Sequence, residues 1–257
     1  MSRRGSPARN RRIAPDGVIP IDPLQSGPLF YYAGTITTGA TFTWSDLSGN
    51  GLDLVQATAG LQPTKNASSA NLGGQPSISF TGGQGLGTAS NVTFGSVFEL
   101  LLVGKITGAA ASQIVVETSV AGLGSTVGPI LVGFNWASVT GGGYSLAAHG
   151  NAGNNWQGIA PPSAFTAFSC FWDMNGASAD IEEFRYDNIV QSITGNAGTQ
   201  NTTTPLGAFP MFFGSRAGAG TTGAITGEYS LFAGWLRQRT AAERAAHQAF
   251  IKNKYGV

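Results

Sequence analysis

Cysteine, histidine and charge are scarce in this sequence, and each scarcity excludes something. The single cysteine, Cys170, rules out an internal disulfide, and its neighbours Phe168, Phe171 and Trp172 read it as a buried, inert thiol. His149 and His247 are the only histidines, too few for a zinc cluster at Cys/His spacing. No Gly-x-Ser-x-Gly nucleophile turn and no phosphate loop occurs, so neither a cofactor nor a metal is expected. No window reaches the ~20 apolar residues of a membrane span, and no membrane partner is expected. The basic start runs into Pro15, Pro20 and Pro23 instead of an apolar stretch, so the expectation is synthesis in the cytoplasm without a signal peptide. Charged residues are 11% of the 257 positions, where about 25% is usual.

What is abundant is glycine, 38 residues scattered without a repeat period, together with Thr, Ser and Asn. That texture suits many short strands joined by turns, and it suits a helical enzyme poorly. Residues 75–80 alternate as a strand, and 97–106 are nearly continuously apolar, as in a strand buried on both faces. Further strands are expected at 113–118, 129–136, 144–148, 165–174, 181–193, 209–214 and 228–236. Asn175-Gly176 marks a hairpin between two of them. Thr240-Ala-Ala-Glu243 is a capping box, and Ala242, Ala245, Ala246, Ala249 and Phe250 follow at helical spacing. The spacing predicts one helix over 241–254, docked on a β body that occupies 29–257.

Charge is unevenly placed. Arg3, Arg4, Arg9, Arg11 and Arg12 open the chain with no acid among the first twelve residues. Residues 13–236 carry four basic and twelve acidic side chains, and 237–257 carry five basic and one acidic. Five prolines make residues 1–28 an extended basic arm, whose five arginines are expected to dock on an acidic protein surface or another copy of the chain. Nucleic acid is a poorer partner, because the body lacks an interleaved basic and aromatic surface.

The stretch WSDLSGNGLDL at 44–54 imitates the first half of a calcium loop, with Asp46, Ser48 and Asn50 at ligand positions and Gly51 at the sharp turn. Position twelve is Ala57, so the bidentate ligand is missing, and a structural Asx/Gly turn is the better reading. On the segment 178–184, Asp180 and Glu182 alternate onto one face, but the same-face neighbours are Ser178 and Phe184. Three carboxylates on one strand are therefore not assembled, and an acidic, solvated face is expected. His149, Asn154, Asn155 and Trp156, in a Gly/Asn-rich loop, supply the parts of a sugar site: an aromatic platform and amides for hydroxyls. His247 is expected on the solvated side of the terminal helix.

The order of these features resembles the concanavalin A-like lectin/glucanase (laminin G-like) modules of phage virion and bacterial surface proteins. The residues that carry the resemblance are Trp-x-Asp-x-Ser-Gly-x-Gly at 44–51, 75–83, Asn175-Gly176, Phe-Phe-Gly-Ser-Arg at 212–216, and 240–257. It implies an all-β, two-sheet antiparallel jelly-roll sandwich with an extended N-terminal arm and one short C-terminal helix. With the arm, it implies a non-catalytic virion structural protein, a capsid decoration or head-fibre subunit at the virion surface. Such a protein would be anchored on capsid proteins and homo-oligomeric. A glycan-binding tail or baseplate adhesin, with a host-surface glycan as partner, is the alternative, and a glycoside hydrolase is third.

Overall fold

The computed structural model describes residues 17–107, 112–118, 130–134, 143–150, 153–160, 162–173, 181–192, 195–198, 207–216 and 223–257. Two antiparallel sheets face each other. One contains β1 (Phe30–Thr37), β4 (Thr64–Asn66), β5 (Ser77–Thr81), β7 (Val97–Ile106), β12 (Thr166–Asp173), β13 (Ile181–Tyr186), β14 (Ile189–Val190) and β17 (Thr226–Trp235). Within it β17 lies beside β7, which leads on to β12, β13 and β14, while β1 and β5 share the other edge of β17. The second sheet runs β3 (Leu54–Gln56), β6 (Leu86–Thr93), β16 (Ala208–Phe213), β8 (Gln113–Thr118), β9 (Ile130–Phe134), β10 (Tyr144–Gly150), β11 (Gly153–Gly158) and β15 (Gly195–Gly198). The strand β2 (Phe42–Asp46) pairs with both β1 and β3 and ties the two sheets together at one edge.

The expected sandwich is therefore what the chain forms, and its core is aromatic. Phe30, Tyr32, Trp44, Phe80, Phe98, Trp172, Phe213 and Phe232 fill the space between the sheets. Tyr32 stacks on Phe232 with ring centroids 5.7 Å apart, and Trp44 meets Phe213 edge-on at the same distance. Aromatic pairs of this geometry add about 0.5–1.5 kcal/mol each beyond area burial. Cys170 lies in this core as a buried thiol.

The apolar run of β7 has the reason its sequence suggested. Leu100 and Leu102 face the inter-sheet core, while Leu101 and Val103 face a second cluster with Tyr31, Leu231, Trp235, Ile251 and Tyr255. That second cluster sits under the α-helix α1 (Ala241–Tyr255). The capping box forms as read: Thr240 Oγ1 accepts from the Glu243 amide at 3.2 Å, and Glu243 Oε2 accepts from the Thr240 amide at 2.8 Å. Gly256, with φ of 75°, ends the helix.

The buried stripe of α1 includes Ala246 and Ala249, as read off the alanines, but is otherwise rotated from that reading. Ile251 and Tyr255 are the large buried anchors, Ala242 is exposed and Phe250 is only partly covered, under the Lys254 ammonium 5.3 Å from its ring centre. The helix turns that way because it docks on Leu72 and Trp235 and because residues 18–28 lie along it. The Ile21 amide donates to the Ala246 carbonyl at 3.2 Å, Pro23 is buried, and Trp235 Nε1 donates to Ser26 Oγ at 2.9 Å. The second half of the proline-rich segment thus packs on the body. Arg3, Arg4, Arg9, Arg11 and Arg12 lie outside the described residues. So do Asn175 and Gly176, although β12 and β13 pair as the expected hairpin requires. A turn that the sequence reading overlooked joins β13 to β14: Asp187 and Asn188 take φ of 49° and 65°, the backbone of a two-residue hairpin. Among the described residues no helix is long and apolar enough to cross a membrane.

Candidate functional site

The opening motif is a turn. Asp46 Oδ1 accepts from the amides of Tyr31 and Ser48, both at 2.9 Å, and Oδ2 accepts from Ser48 Oγ at 2.8 Å and the Leu52 amide at 3.1 Å. Asn50 Nδ2 and Ser48 Oγ both donate to the Leu29 carbonyl. Both Asp46 carboxylate oxygens and Ser48 Oγ thus accept from the chain's own donors, and no group of three His, Cys, Asp or Glu residues that could hold a metal occurs among the described residues. We expect neither EDTA nor added calcium to move the melting temperature, since only a ligand of the native state would raise it by mass action. A calcium-dependent rise of several degrees would show that the loop rearranges to bind the ion.

The hairpin of β10 and β11 replaces the Gly/Asn loop expected around residues 149–156. His149 pairs with Asn154, Ala148 with Asn155 and Ala147 with Trp156. The side chains of His149, Asn154, Asn155 and Trp156 lie outside the described residues, as does Asp180 altogether. Glu182 pairs with the buried Trp172, and its own side chain is likewise outside.

Sequence reasoning missed a buried carboxylate on the second sheet. On β8, Val116 belongs to the inter-sheet core, so strand alternation puts Glu117 on the opposite, outer face. Glu117 is nevertheless fully buried, paired with the Arg216 guanidinium at 3.2 Å, while Arg216 remains partly exposed. Arg216 follows the Gly214 turn that ends β16, where φ is 90° and an added Cβ would strike the Phe80 ring. Backbone register then sets one row across five strands. Phe212 on β16 lies opposite Glu117, Glu117 opposite Leu131, Leu131 opposite Ala147, and Ala147 opposite Trp156. At about 4.8 Å between neighbouring strands, the backbones of Glu117 and Trp156 are roughly 14 Å apart. The only sequence signals were Arg216 in its Phe-Phe-Gly-Ser-Arg motif and a Glu ending an apolar strand.

A second buried charge network lies beneath α1. Glu99, within the apolar run of β7, accepts from Arg239 Nη2 at 2.8 Å and from the Arg239 amide at 2.6 Å. The Arg239 guanidinium lies over the Trp235 ring, 4.6 Å from its centre. Its Nη1 reaches Nδ1 of His247, whose ring stacks on Trp235. His247 is 1% exposed, which corrects its expected place on a solvated surface. Burial first, and then the positive charge of Arg239, push the imidazole down to about 3, so it is neutral at ordinary pH. The third carboxylate in a polar cluster, Glu228, accepts from Ser77 at 2.5 Å and Asn66 at 3.1 Å. Burial alone would raise its titration point, but these donors together hold it below the usual carboxylate range.

No protein-family model matches this chain, and no curated protein matches it. Solved structures do. Trypanosoma rangeli sialidase aligns with 95% of this chain and 35% of its own, at 12% identity and a TM-score of 0.57. A GH54 α-L-arabinofuranosidase aligns with 90% of this chain and 64% of its own, at 14% identity and a TM-score of 0.56. An arabinofuranosidase complexed with arabinofuranosyl-α-1,2-xylobiose gives 12% identity and the same TM-score. This chain thus spans about a third of the sialidase and under two thirds of the arabinofuranosidases. These neighbours are glycosidases, which overturns two expectations: the non-catalytic virion structural protein and the exclusion of an enzyme. What the likeness shows directly is architecture: the chain is an all-β sandwich closed by one C-terminal helix, similar to the β-sandwich found in these glycosidases.

Proposed function

We propose that the protein acts on glycosides, along the outer face of its second sheet. The observation that carries this reading is the row from Phe212 through Glu117 to Trp156, which aligns a buried carboxylate with the hairpin of His149, Asn154, Asn155 and Trp156. The roughly 14 Å between the backbones of Glu117 and Trp156 would accommodate a short oligosaccharide crossing the strands. The fold likeness to sialidase and arabinofuranosidase supports the same chemistry, and a glycan is the partner this reading implies.

Glycosidic bonds are broken between two carboxyl groups, one acting as acid and the other as nucleophile or base. Glu117, paired with the Arg216 guanidinium, is the candidate for one of these two carboxyl groups. Among the described residues no second carboxylate stands in its row. The second carboxyl group is left unassigned, because Glu182 lies on β13 of the other sheet, opposite the buried Trp172.

The test uses chromogenic α-L-arabinofuranosides and sialosides, with release of the aglycone as readout. We expect turnover of at least one of them, and Glu117→Gln should reduce it by about 100-fold or more while the melting temperature moves little. Full activity in Glu117→Gln would remove that residue from the reaction. Failure to cleave any glycoside, with sugar binding retained, would overturn hydrolysis.

A further inference from the structure

Where α1 packs on the β7 and β12 strands, a cavity of about 10 Å³ remains, room for one particle the size of a water. Its wall includes Asn188, Arg239, Arg244, His247 and Gln248. Each of these carries a buried polar atom with no hydrogen-bond partner among the described residues: Asn188 Oδ1, Arg239 Nε, Arg244 Nε, His247 Nε2 and Gln248 Nε2. Arg239, His247 and Gln248 are respectively 3%, 1% and 9% exposed, so bulk solvent does not serve them. Buried polar groups in folded proteins are almost always satisfied, and five orphans around one void specify an occupant.

Their chemistry selects it. Four of the five atoms are N–H donors. The Arg239 guanidinium donates to His247 Nδ1 at 3.0 Å, which leaves the ring proton on Nε2 as a donor toward the void. Only Asn188 Oδ1 accepts, and a half-turn of that amide offers its Nδ2 instead. Charge points the same way. Glu99 neutralises Arg239, and Glu243 neutralises Arg237. Arg244 donates to the Arg239 carbonyl and makes no ion pair among the described residues, while Asp187, the acid of the adjoining groove, accepts from the Ala167 amide through Oδ1 at 2.9 Å. A water molecule accepts two hydrogen bonds and neutralises nothing. A monatomic anion accepts from every side.

We propose that this cavity is a halide site, holding one chloride between α1 and the helix-bearing sheet. The anion completes the donor sets of Arg239, Arg244, His247 and Gln248 and lies against the Arg244 guanidinium. It reaches the site by way of a surface groove of about 230 Å³ that shares Asn188 and Gln248 with the inner cavity. The helix is then docked partly through the ion, and its seating depends on halide concentration.

The melting temperature is followed at constant ionic strength as sodium gluconate is exchanged for sodium chloride, then for sodium bromide. We expect a rise of about 3 °C by 100 mM halide, as a native-state ligand produces. Arg244→Met should lose the response, and Gln248→Leu, which keeps both guanidiniums, should weaken it. Crystals grown in bromide should show an anomalous peak among the four donors. Equal melting temperatures in all three salts, or no bromide at that position, would overturn the proposal and assign the cavity to water.

Discussion

Replacing Arg239 by alanine should destabilise the protein by about 3–5 kcal/mol, the cost of leaving its buried partner uncompensated. Glu99 is 1% exposed and receives two of its bonds from Arg239, one from the side chain and one from the amide. In Arg239→Ala the amide bond survives, but the buried carboxylate loses its ionic partner, and Trp235 and His247 lose the plane that covers them. The double variant Glu99→Leu/Arg239→Met should recover most of the loss, because it removes both desolvation penalties and roughly preserves volume. Urea unfolding of the three proteins decides it. A single variant within 1 kcal/mol of the parent would mean that water reaches Glu99 once the guanidinium is gone.

The second large effect is expected on acidification. His247 titrates near 6.5 in an unfolded chain and is pushed down to about 3 in the fold. Its folded pKa is depressed, so the associated stability is fully present above pH 6.5 and is lost as pH falls toward 3, while the unfolded chain takes up the proton. Between pH 6.5 and 4 this amounts to about 3 kcal/mol. Carboxylates titrate in the same window, so the measurement is a difference. His247→Gln can still accept from Arg239 but cannot ionise, and its stability should fall less steeply in the same halide-free buffers. Parallel slopes for the two proteins would show that the imidazole protonates in place.

These two effects come from residues that the sequence did not bring together. Glu99 sits in VFELLLVGKI, and Arg239 is 140 positions later, beyond the last strand. A lone acid in an apolar run announces that it must be paired, but not with what, because the pairing is set by how β7 meets the connection into α1. Glu117 and Arg216 are separated in the same way. His247 looked solvated because helical spacing alone cannot say which side docks. The alanines implied a face through Phe250, whereas Ile251 and Tyr255 face the sheet.

Local features were legible because their causes are local. The capping box lies within four residues, and the Asp46 turn closes largely on its own amides. Cys170 was placed by its aromatic neighbours. Strands were found from alternation, and the double burial of β7 from its unbroken apolarity. Pairing order was not legible. Thus the AAHGNAGNNWQG stretch read as a loop because Gly and Asn dominate it, while the ladder of β10 with β11 and β9 makes it strand.

The pairing of β1 with β17 has a consequence for synthesis. Tyr32 sits opposite Phe232, 200 positions away, and the intervening β7 completes its own neighbourhood only when β17 arrives. On the ribosome, the chain must emerge through β17 before this sheet can close. Until then the edges of β1 and β7 remain open to other nascent chains. So many distant contacts make a slow folder, and one that needs protection during translation more than afterwards.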